Sequence, residues 1–280
     1  MIPQRNLSLL SNRLAKRGGR RIPESVLERD YCLAWFLVGL SRSSLRNRLA
    51  FKGGTALKHC WFGDYRFSED LDFTLTEETH FEAIRKELEA VYREAHRASG
   101  IAFRFSRADR KQHQNSHTFY LAYEGPISGV AVKEVKVDIT IREELVRPLL
   151  DRTVLRGYEE YSDLPEDAKV RVYSLEEIIV EKIVALTDRA RNEPRDLYDA
   201  WFLISNDHID LTELTGDIER KTAFRGRSMK DFAKEFLDKK QRLQRLWTAR
   251  LAAQMVELPP FENVFRAVSR AMRDAGLIKR

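Results

Sequence analysis

The 280-residue sequence contains only two cysteines, Cys32 and Cys60. Two thiols cannot supply a disulfide framework or a four-cysteine zinc site, so both kinds of stapled protein are excluded. No apolar run reaches the roughly 18 residues that a membrane-spanning helix needs. The N-terminus lacks the apolar stretch of a secretory signal, and no internal repeat or low-complexity segment is present. We therefore expect a protein of the reducing cytoplasm that has no membrane partner.

The charges are distributed unevenly along the chain. Residues 1–52 carry a net charge of +8 and residues 218–280 carry +9, whereas the residues between them carry −11. Basic ends are typical of a protein that contacts phosphate, and an acidic centre suits a metal site. The basic ends could equally be ordinary solvated helix faces, so charge alone leaves nucleic-acid binding open.

The hydrophobic pattern divides the chain into a mixed part and a helical part. Helical patterns cover residues 24–42 and 79–98, and the strand-like runs are LAF, DLDFTL, IAFRFS, HTFYLAY, EVKVDITI and VRVYS. From the capping-box pattern of Ser174 and Glu177 onward, the pattern is helical. This order predicts an α+β fold, in which a mixed sheet with flanking helices precedes a helical C-terminal bundle. We expect an N-terminal domain at 1–165 and a C-terminal domain at 166–280.

Two short motifs carry residues suited to phosphate chemistry. Gly53 and Gly54 lie between a strand and a helix, where glycines let the backbone approach an anion and the helix start offers free N–H groups. Asp70 and Asp72 alternate along an apolar strand, so both carboxylates point the same way. Such a pair suits Mg²⁺ beside substrate phosphates. The alternatives are an ordinary turn and a solvent-facing acidic strand.

The two motifs are combined in FKGGTALKHCWFGDYRFSEDLDFTL, residues 51–75. This segment resembles the AbiEii/AbiGii family of nucleotidyltransferase toxins, which includes the MenT toxins and shares the nucleotidyltransferase fold of DNA polymerase β. YSLEEIIVEKIVAL and EPRDLYDAW also resemble motifs of the family. The resemblance covers residues 45–205 and implies that the expected mixed sheet is a nucleotidyltransferase sheet.

The resemblance also implies roles for individual residues. The catalytic residues it implies are Ser68, Asp70, Asp72, Lys182 and Asp196. The NTP-binding residues it implies are Lys52, Gly53, Gly54, Thr55, Ser68 and Lys182. The Mg²⁺ ligands it implies are Asp70 and Asp72, with Asp138 as a candidate third ligand.

Several of these side chains also have simpler interpretations. Lys182 lies in an apolar helical stretch and could extend to solvent, or pair with Glu181 or Asp188. Asp199 is the second candidate for the acidic residue of its motif, and its spacing from Arg195 would let the two pair on one helix face. Both possibilities stay open at the level of sequence.

The implied function is a Mg²⁺-dependent transfer of a nucleoside monophosphate from an NTP to RNA. The resemblance implies that the acceptor is the 3′ end of tRNA, so that translation is blocked. It also implies a toxin of a type IV-like toxin–antitoxin system with a separately encoded antitoxin. The alternatives are a nucleotidyltransferase that modifies an antibiotic or a protein, and a non-catalytic regulator that binds NTP or RNA.

Overall fold

The computed structural model describes residues 1–18, 20–110, 114–129, 131–206 and 209–279. These residues divide into two compact units. The first unit comprises residues 1–143, 149–173 and 254–256, and the second comprises residues 144–148, 174–253 and 257–280.

A mixed sheet organises the first unit. Within the described residues its seven strands are β1 (Leu49–Lys52), β2 (Asp70–Leu75), β3 (Ala102–Ala108), β4 (Ser116–Glu124), β5 (Lys133–Thr140), β6 (Leu149–Thr153) and β7 (Lys169–Tyr173). Their order across the sheet is β3-β4-β5-β2-β1-β7-β6. Strand β2 pairs antiparallel with β1 and parallel with β5. The expected α+β fold with a mixed sheet and flanking helices is confirmed.

The pleat of β2 separates its apolar and acidic side chains. Leu71 and Phe73 are fully buried on one face, where the Phe73 ring centroid lies 5.2 Å from that of Phe51 on β1. Asp70 and Asp72 alternate with them and are only half-buried. Burial of the apolar residues therefore fixes the register of β2, because a slip by one residue would bury the two carboxylates instead.

Helices cover the sheet in the first unit. They are α1 (Gln4–Gly18), α2 (Glu24–Ser41), α3 (Gly53–Ala56) and α4 (Phe81–Ser99), and a 3₁₀ turn covers Ser44–Asn47. The short helix α3 continues directly into a π-helical turn, Leu57–Trp61. Helix α2 is buried along almost its whole length, whereas α4 buries one stripe and exposes its charged residues.

The second unit is helical in the part of the chain that the structure describes. Its helices are α5 (Leu175–Leu186), α6 (Pro194–Asn206), α7 (Thr215–Phe224), α8 (Phe232–Asp238), α9 (Lys240–Leu251) and α10 (Phe261–Asp274), with 3₁₀ turns at Leu211–Leu214 and Met229–Asp231. Helix α6 begins at Pro194, where the missing N–H of proline costs no helical hydrogen bond. None of the described helices in either unit is both long and apolar enough to cross a lipid bilayer.

The structure contains one of the two contacts of the capping box that the sequence predicts at the start of α5. The Ser174 hydroxyl accepts from the Glu177 amide at 3.2 Å, as in a capping box. The Glu177 carboxylate accepts instead from the amides of Val146 and Arg147, at 2.9 and 2.7 Å, and forms an ion pair with Lys221. Glu177 is therefore committed to tertiary contacts inside the second unit.

Two strands lie where the sequence pattern is weak or where a domain boundary is expected. Edge strand β6 falls in a stretch that reads as loop, because its side chains are exposed or half-buried and do not alternate. Strand β7 lies beyond the expected boundary at residue 165, yet it pairs with β1 and β6 in the sheet of the first unit. Backbone hydrogen bonds, which leave no side-chain pattern, hold β6 in the sheet.

Candidate active site

Three adjacent strands of the first unit place Lys52, Asp72 and Asp138 in one row. Lys52 on β1 is the register partner of Asp72 on β2, and Asp72 is the register partner of Asp138 on β5. Asp70 lies two residues before Asp72 on the same face of β2, and both are half-buried. The sheet therefore brings the two aspartates that the sequence singles out to one half-open surface.

Gly53 packs directly against this surface. Its φ angle of 78° lies in the left-handed region that favours glycine, and a Cβ at this position would stand 2.7 Å from Oδ2 of Asp72. A side chain here would require the Asp72 carboxylate to move. The backbone of the turn thus lies close to the Asp72 carboxylate. The approach of this turn to a phosphate stays a prediction.

Gly54 is required for a different contact. A Cβ at Gly54 would lie 2.2 Å from Nη2 of Arg66, so the guanidinium occupies the space beside the turn. Arg66 is only 4% exposed, and its Nη1 donates to the Gln254 side chain at 3.2 Å and to the Phe67 carbonyl at 3.3 Å. Arg66 lies in the family-like segment, but the sequence does not distinguish a phosphate contact from a merely flanking residue.

Two hydroxyl groups join the glycine turn to β2. Thr55 Oγ1 donates to the Asp70 carbonyl at 2.5 Å and lies 2.7 Å from Ser68 Oγ. Both residues are buried: Thr55 has no exposed surface, and 7% of the surface of Ser68 is exposed. These bonds tie the predicted NTP-binding turn to the start of the acidic strand.

Lys52 and Asp138 each contact a threonine of another strand of the sheet. Lys52 Nζ donates to Thr140 Oγ1 at 3.0 Å and lies 5.6 Å from the centre of the Tyr173 ring. Asp138 accepts from Thr118 Oγ1 at 3.3 Å and lies 3.9 Å from Lys136 Nζ. Asp138 thus shares the row with Asp72, and its role as a third metal ligand stays a prediction.

The carboxylate pair fits a hard divalent cation that is shared with a substrate. Mg²⁺ commonly takes one or two protein carboxylates and completes its coordination with phosphate oxygens and water. Asp70 and Asp72 supply that number on one face, and the missing side chain of Gly53 leaves space at Asp72 Oδ2. Over the residues that the structure describes, no group of three or more His, Cys, Asp and Glu side chains forms a metal site.

Lys182 and Asp196 lie in the second unit, where they form a buried ion-pair cluster. Lys182 Nζ contacts Asp196 Oδ1 at 2.9 Å and Asp199 Oδ2 at 2.8 Å. Arg191 Nε adds a contact of 2.5 Å to Asp196 Oδ2. Lys182 is therefore paired with Asp196 and Asp199, the two candidate acidic residues of the motif on α6. The sequence suggests Glu181 or Asp188 as its partner instead.

The cluster also controls the ionisation of Asp196. Burial alone would raise the pKa of this carboxyl group, but the positive charges of Lys182 and Arg191 outweigh burial and hold the pKa well below its usual range. Asp196 is 2% exposed and Asp199 is not exposed at all. Within the second unit Asp196 is therefore an ionised group, and both aspartates lie in contact with Nζ of Lys182.

Comparison with known proteins agrees with the motifs. The family model of the nucleotidyl transferase AbiEii toxin, type IV toxin–antitoxin system, matches residues 35–269. Among solved structures, the chain is similar to MenT4, a nucleotidyltransferase toxin from Mycobacterium tuberculosis H37Rv, with 17% identity and a TM-score of 0.48, over 93% of this chain and 98% of that one. No curated protein matches the sequence. Because the family match covers well over half of the chain, the protein belongs to the AbiEii nucleotidyltransferase toxins of type IV toxin–antitoxin systems.

Proposed function

We propose that this nucleotidyltransferase toxin transfers a nucleoside monophosphate from an NTP to RNA, and that the acceptor is the 3′ end of tRNA. The observation that carries the proposal is the half-exposed pair Asp70 and Asp72 on one strand face, with the backbone of Gly53 against Asp72. This arrangement supplies carboxylates for a cation and a glycine turn for phosphate at the same place.

Each group of the first unit has a role in this proposal. Asp70 and Asp72 would hold Mg²⁺, which when bound neutralises charge on the triphosphate and on the departing pyrophosphate. The turn at Gly53 and Gly54 and the hydroxyl of Ser68 would orient the phosphates. The acceptor hydroxyl oxygen then bonds to the α-phosphorus, the bond to pyrophosphate breaks, and the hydroxyl proton leaves to solvent. The chain contributes positioning and charge, which dominate phosphoryl-type transfers.

The roles that the family motifs imply for the second unit remain predictions. Lys182 would offset charge on the leaving pyrophosphate, and Asp196 would be the acidic residue of the later motif. What supports them is that both lie with Asp199 in one ion-paired cluster, which holds the Lys182 ammonium in a defined place.

The surface charge of the second unit supports an RNA acceptor. Helix α9 has no acidic residue, and its basic residues are Lys240, Arg242, Arg245 and Arg250. Helix α10 buries an apolar face and exposes its three arginines, which are Arg266, Arg270 and Arg273. The exposed charges of α4 differ, because four acidic residues there balance four basic ones. The exposed arginines of α9, a helix with no acidic residue of its own, suit a phosphate backbone, whose contacts are insensitive to sequence.

The proposed place of the reaction in the cell follows from the family. Nucleotides added to the 3′ end of tRNA would prevent aminoacylation and so stop translation. A separately encoded antitoxin would oppose this activity. The partners proposed for the chain are therefore an NTP, tRNA and a cognate antitoxin.

Labelling of RNA ends tests the proposal. The protein is incubated with labelled NTPs, Mg²⁺ and total tRNA, and parallel reactions replace tRNA with aminoglycosides or with protein substrate. We expect label at tRNA 3′ ends with the wild-type protein and none with Asp72→Ala. Label on the drug or the protein alone would contradict the RNA acceptor, and full activity of Asp72→Ala would contradict the assignment of the carboxylate pair.

A charge-neutralising variant tests the RNA surface separately. Arg242→Gln/Arg245→Gln on α9 should weaken tRNA binding and make its salt dependence shallower, since each lost phosphate contact lowers the salt slope by about 1. Arg93→Gln/Arg97→Gln on α4 is the matched control, because those arginines are also exposed but lie among acidic residues. Equal effects of the two variants would contradict a role for α9.

A further inference from the structure

Lys58 is a buried charge that the proposed reaction does not use. It lies on the π-helical turn directly after the glycine turn and is only 2% exposed. Burial alone would lower the pKa of this lysine, but the charge of Asp30 and the phenol of Tyr158 raise it overall, so Lys58 stays an ammonium group. A buried ammonium is expensive, and its presence calls for a reason.

The three N–H groups of Lys58 all have acceptors. Nζ donates to the carbonyl of Gly63 at 3.0 Å, to the carbonyl of Tyr65 at 3.3 Å and to the hydroxyl of Tyr158 at 3.2 Å. An ammonium has three donors, so this set satisfies it completely. Two of the three acceptors belong to the backbone of one segment, residues 62–69, which joins the π-helical turn to strand β2.

Aromatic rings enclose the ammonium as well. Nζ lies 4.5 Å from the centre of the Phe67 ring and 4.7 Å from the centre of the Tyr158 ring, and these rings stack with 6.0 Å between their centroids. Cation–π contacts of this kind are strongest when they are shielded from water. Phe67 belongs to the same segment. Lys58 therefore contacts residues 62–69 at three points, which are the carbonyls of Gly63 and Tyr65 and the ring of Phe67.

The segment that Lys58 holds ends in the candidate active site. Arg66 lies against Gly54, and Ser68 lies 2.7 Å from Thr55. A lysine that fixes the backbone at residues 63 and 65 thereby fixes the direction in which Arg66 and Ser68 point. Both side chains lie beside residues of helix α3, which begins at the glycine turn.

We propose that Lys58 is a positioning residue, whose ammonium holds residues 62–69 in the shape that presents Arg66 and Ser68 to the phosphates of the NTP. This inference rests on the proposed function for the identity of the ligand. The contacts of Lys58 themselves do not depend on that function, so the two can be tested apart.

The test uses Lys58→Met in the full-length protein, since methionine fills the space between the two rings without charge or N–H donors. Hydrogen exchange should rise at least about tenfold in peptides covering residues 62–69 and stay unchanged elsewhere in the sheet. The dissociation constant for a non-hydrolysable NTP with Mg²⁺ should rise on the order of 10- to 100-fold, as for other residues that support a binding group. Affinity for tRNA should not change.

Lys133→Met is the matched control in the same unit. Lys133 also donates to a backbone carbonyl, that of Ile127, and to the buried carboxylate of Glu28. Its removal should lower stability and leave NTP affinity unchanged. A merely structural Lys58 would behave like Lys133, with a smaller folded fraction but normal NTP affinity in the protein that folds.

Gly63→Ala is the second variant, for use where Lys58→Met does not fold. A Cβ at Gly63 would lie 3.2 Å from the Gly157 backbone, so this change moves the same segment slightly with Lys58 intact, and it should weaken NTP binding in the same way. Unchanged exchange at residues 62–69, or unchanged NTP affinity in the folded variants, would overturn the assignment of Lys58. Wild-type protein that binds no NTP would contradict the proposed function itself, and the Lys58 proposal with it.

Discussion

Asp70 and Asp72 in the first unit are half-buried on one strand face, whereas Asp196 and Asp199 in the second unit are buried and in contact with Lys182 at 2.9 and 2.8 Å. The two pairs come from motifs of the same family. Their surroundings nevertheless differ in burial, which decides whether a carboxylate can bind a ligand from solvent. The pair on the strand is only half-buried, while the helical pair is enclosed with Lys182 and Arg191.

This difference separates two tasks. A partly exposed carboxylate pair can bind a cation that arrives with a substrate, at little cost in folding. A buried pair must be neutralised inside the protein, and removal of one partner leaves an uncompensated charge. We therefore expect substitutions in the first pair to change mainly activity, and substitutions in the second to lower stability together with any activity that depends on Lys182.

The largest expected contrast is between Asp72→Asn and Asp199→Asn. Asp72→Asn should reduce nucleotide transfer on the order of 1,000-fold, about 4 kcal/mol of transition-state stabilisation, because a metal ligand is lost. Its free energy of unfolding should fall by less than that of Asp199→Asn, because Asp72 is half-buried whereas Asp199 is fully buried. Asp199→Asn should lower the free energy of unfolding by about 3 kcal/mol, because Lys182 loses a buried partner. Transfer assays and denaturant unfolding measure the two effects, and a large stability loss in Asp72→Asn would break the comparison.

A smaller effect is expected at the glycine turn. Gly53→Ala should reduce transfer on the order of 10- to 100-fold, since its Cβ would push the Asp72 carboxylate away from a distance of 2.7 Å. Gly226 is the matched control, because its φ of 68° is similar and a Cβ there would meet nothing within 4 Å. Both variants should lose about 1 kcal/mol of stability from the left-handed backbone. Normal transfer by Gly53→Ala would show that the close approach is not needed.

The smallest expected effect is a pH dependence of the buried pair. The folded pKa of Asp196 lies below its unfolded value, so its stabilising effect is complete above about pH 5 and is lost as the pH falls toward the folded pKa. The stability difference between wild type and Asp196→Asn should therefore shrink by roughly 1 kcal/mol between pH 7 and pH 3. Denaturant unfolding at a series of pH values measures this difference. A constant difference would contradict the ion-pair assignment.

Local patterns in the sequence predict much of the fold. Short apolar or alternating runs predict strands β1 to β5 and β7, and the start of α6 at Pro194 follows from the chemistry of proline. Strand β6 has no such pattern, because hydrogen bonds to β7 hold it in the sheet while its side chains stay largely exposed. The assignment of β7 to the sheet of the first unit likewise depends on a pairing with β1 that is distant in sequence.

The candidate site shows the same division between local and distant information. The alternation of Asp70 and Asp72 and the two glycines before the helix can be found from sequence spacing. The pairing of Lys182 with Asp196 and Asp199 cannot, because they lie on the next helix and Glu181 and Asp188 are nearer in sequence. The role of Lys58 cannot be found from sequence for a similar reason: nothing in its local sequence indicates that three acceptors from residues 63, 65 and 158 surround its ammonium.

The most direct measurement is the binding of Mn²⁺, a paramagnetic substitute for Mg²⁺, followed by electron paramagnetic resonance in the presence of a non-hydrolysable NTP. The samples are wild type, Asp70→Asn, Asp72→Asn and, as a control, Glu89→Gln on the exposed face of α4. The account predicts that either aspartate substitution weakens Mn²⁺ binding at least about tenfold, while Glu89→Gln binds like wild type. Mn²⁺ binding of wild-type strength in both aspartate variants would contradict it.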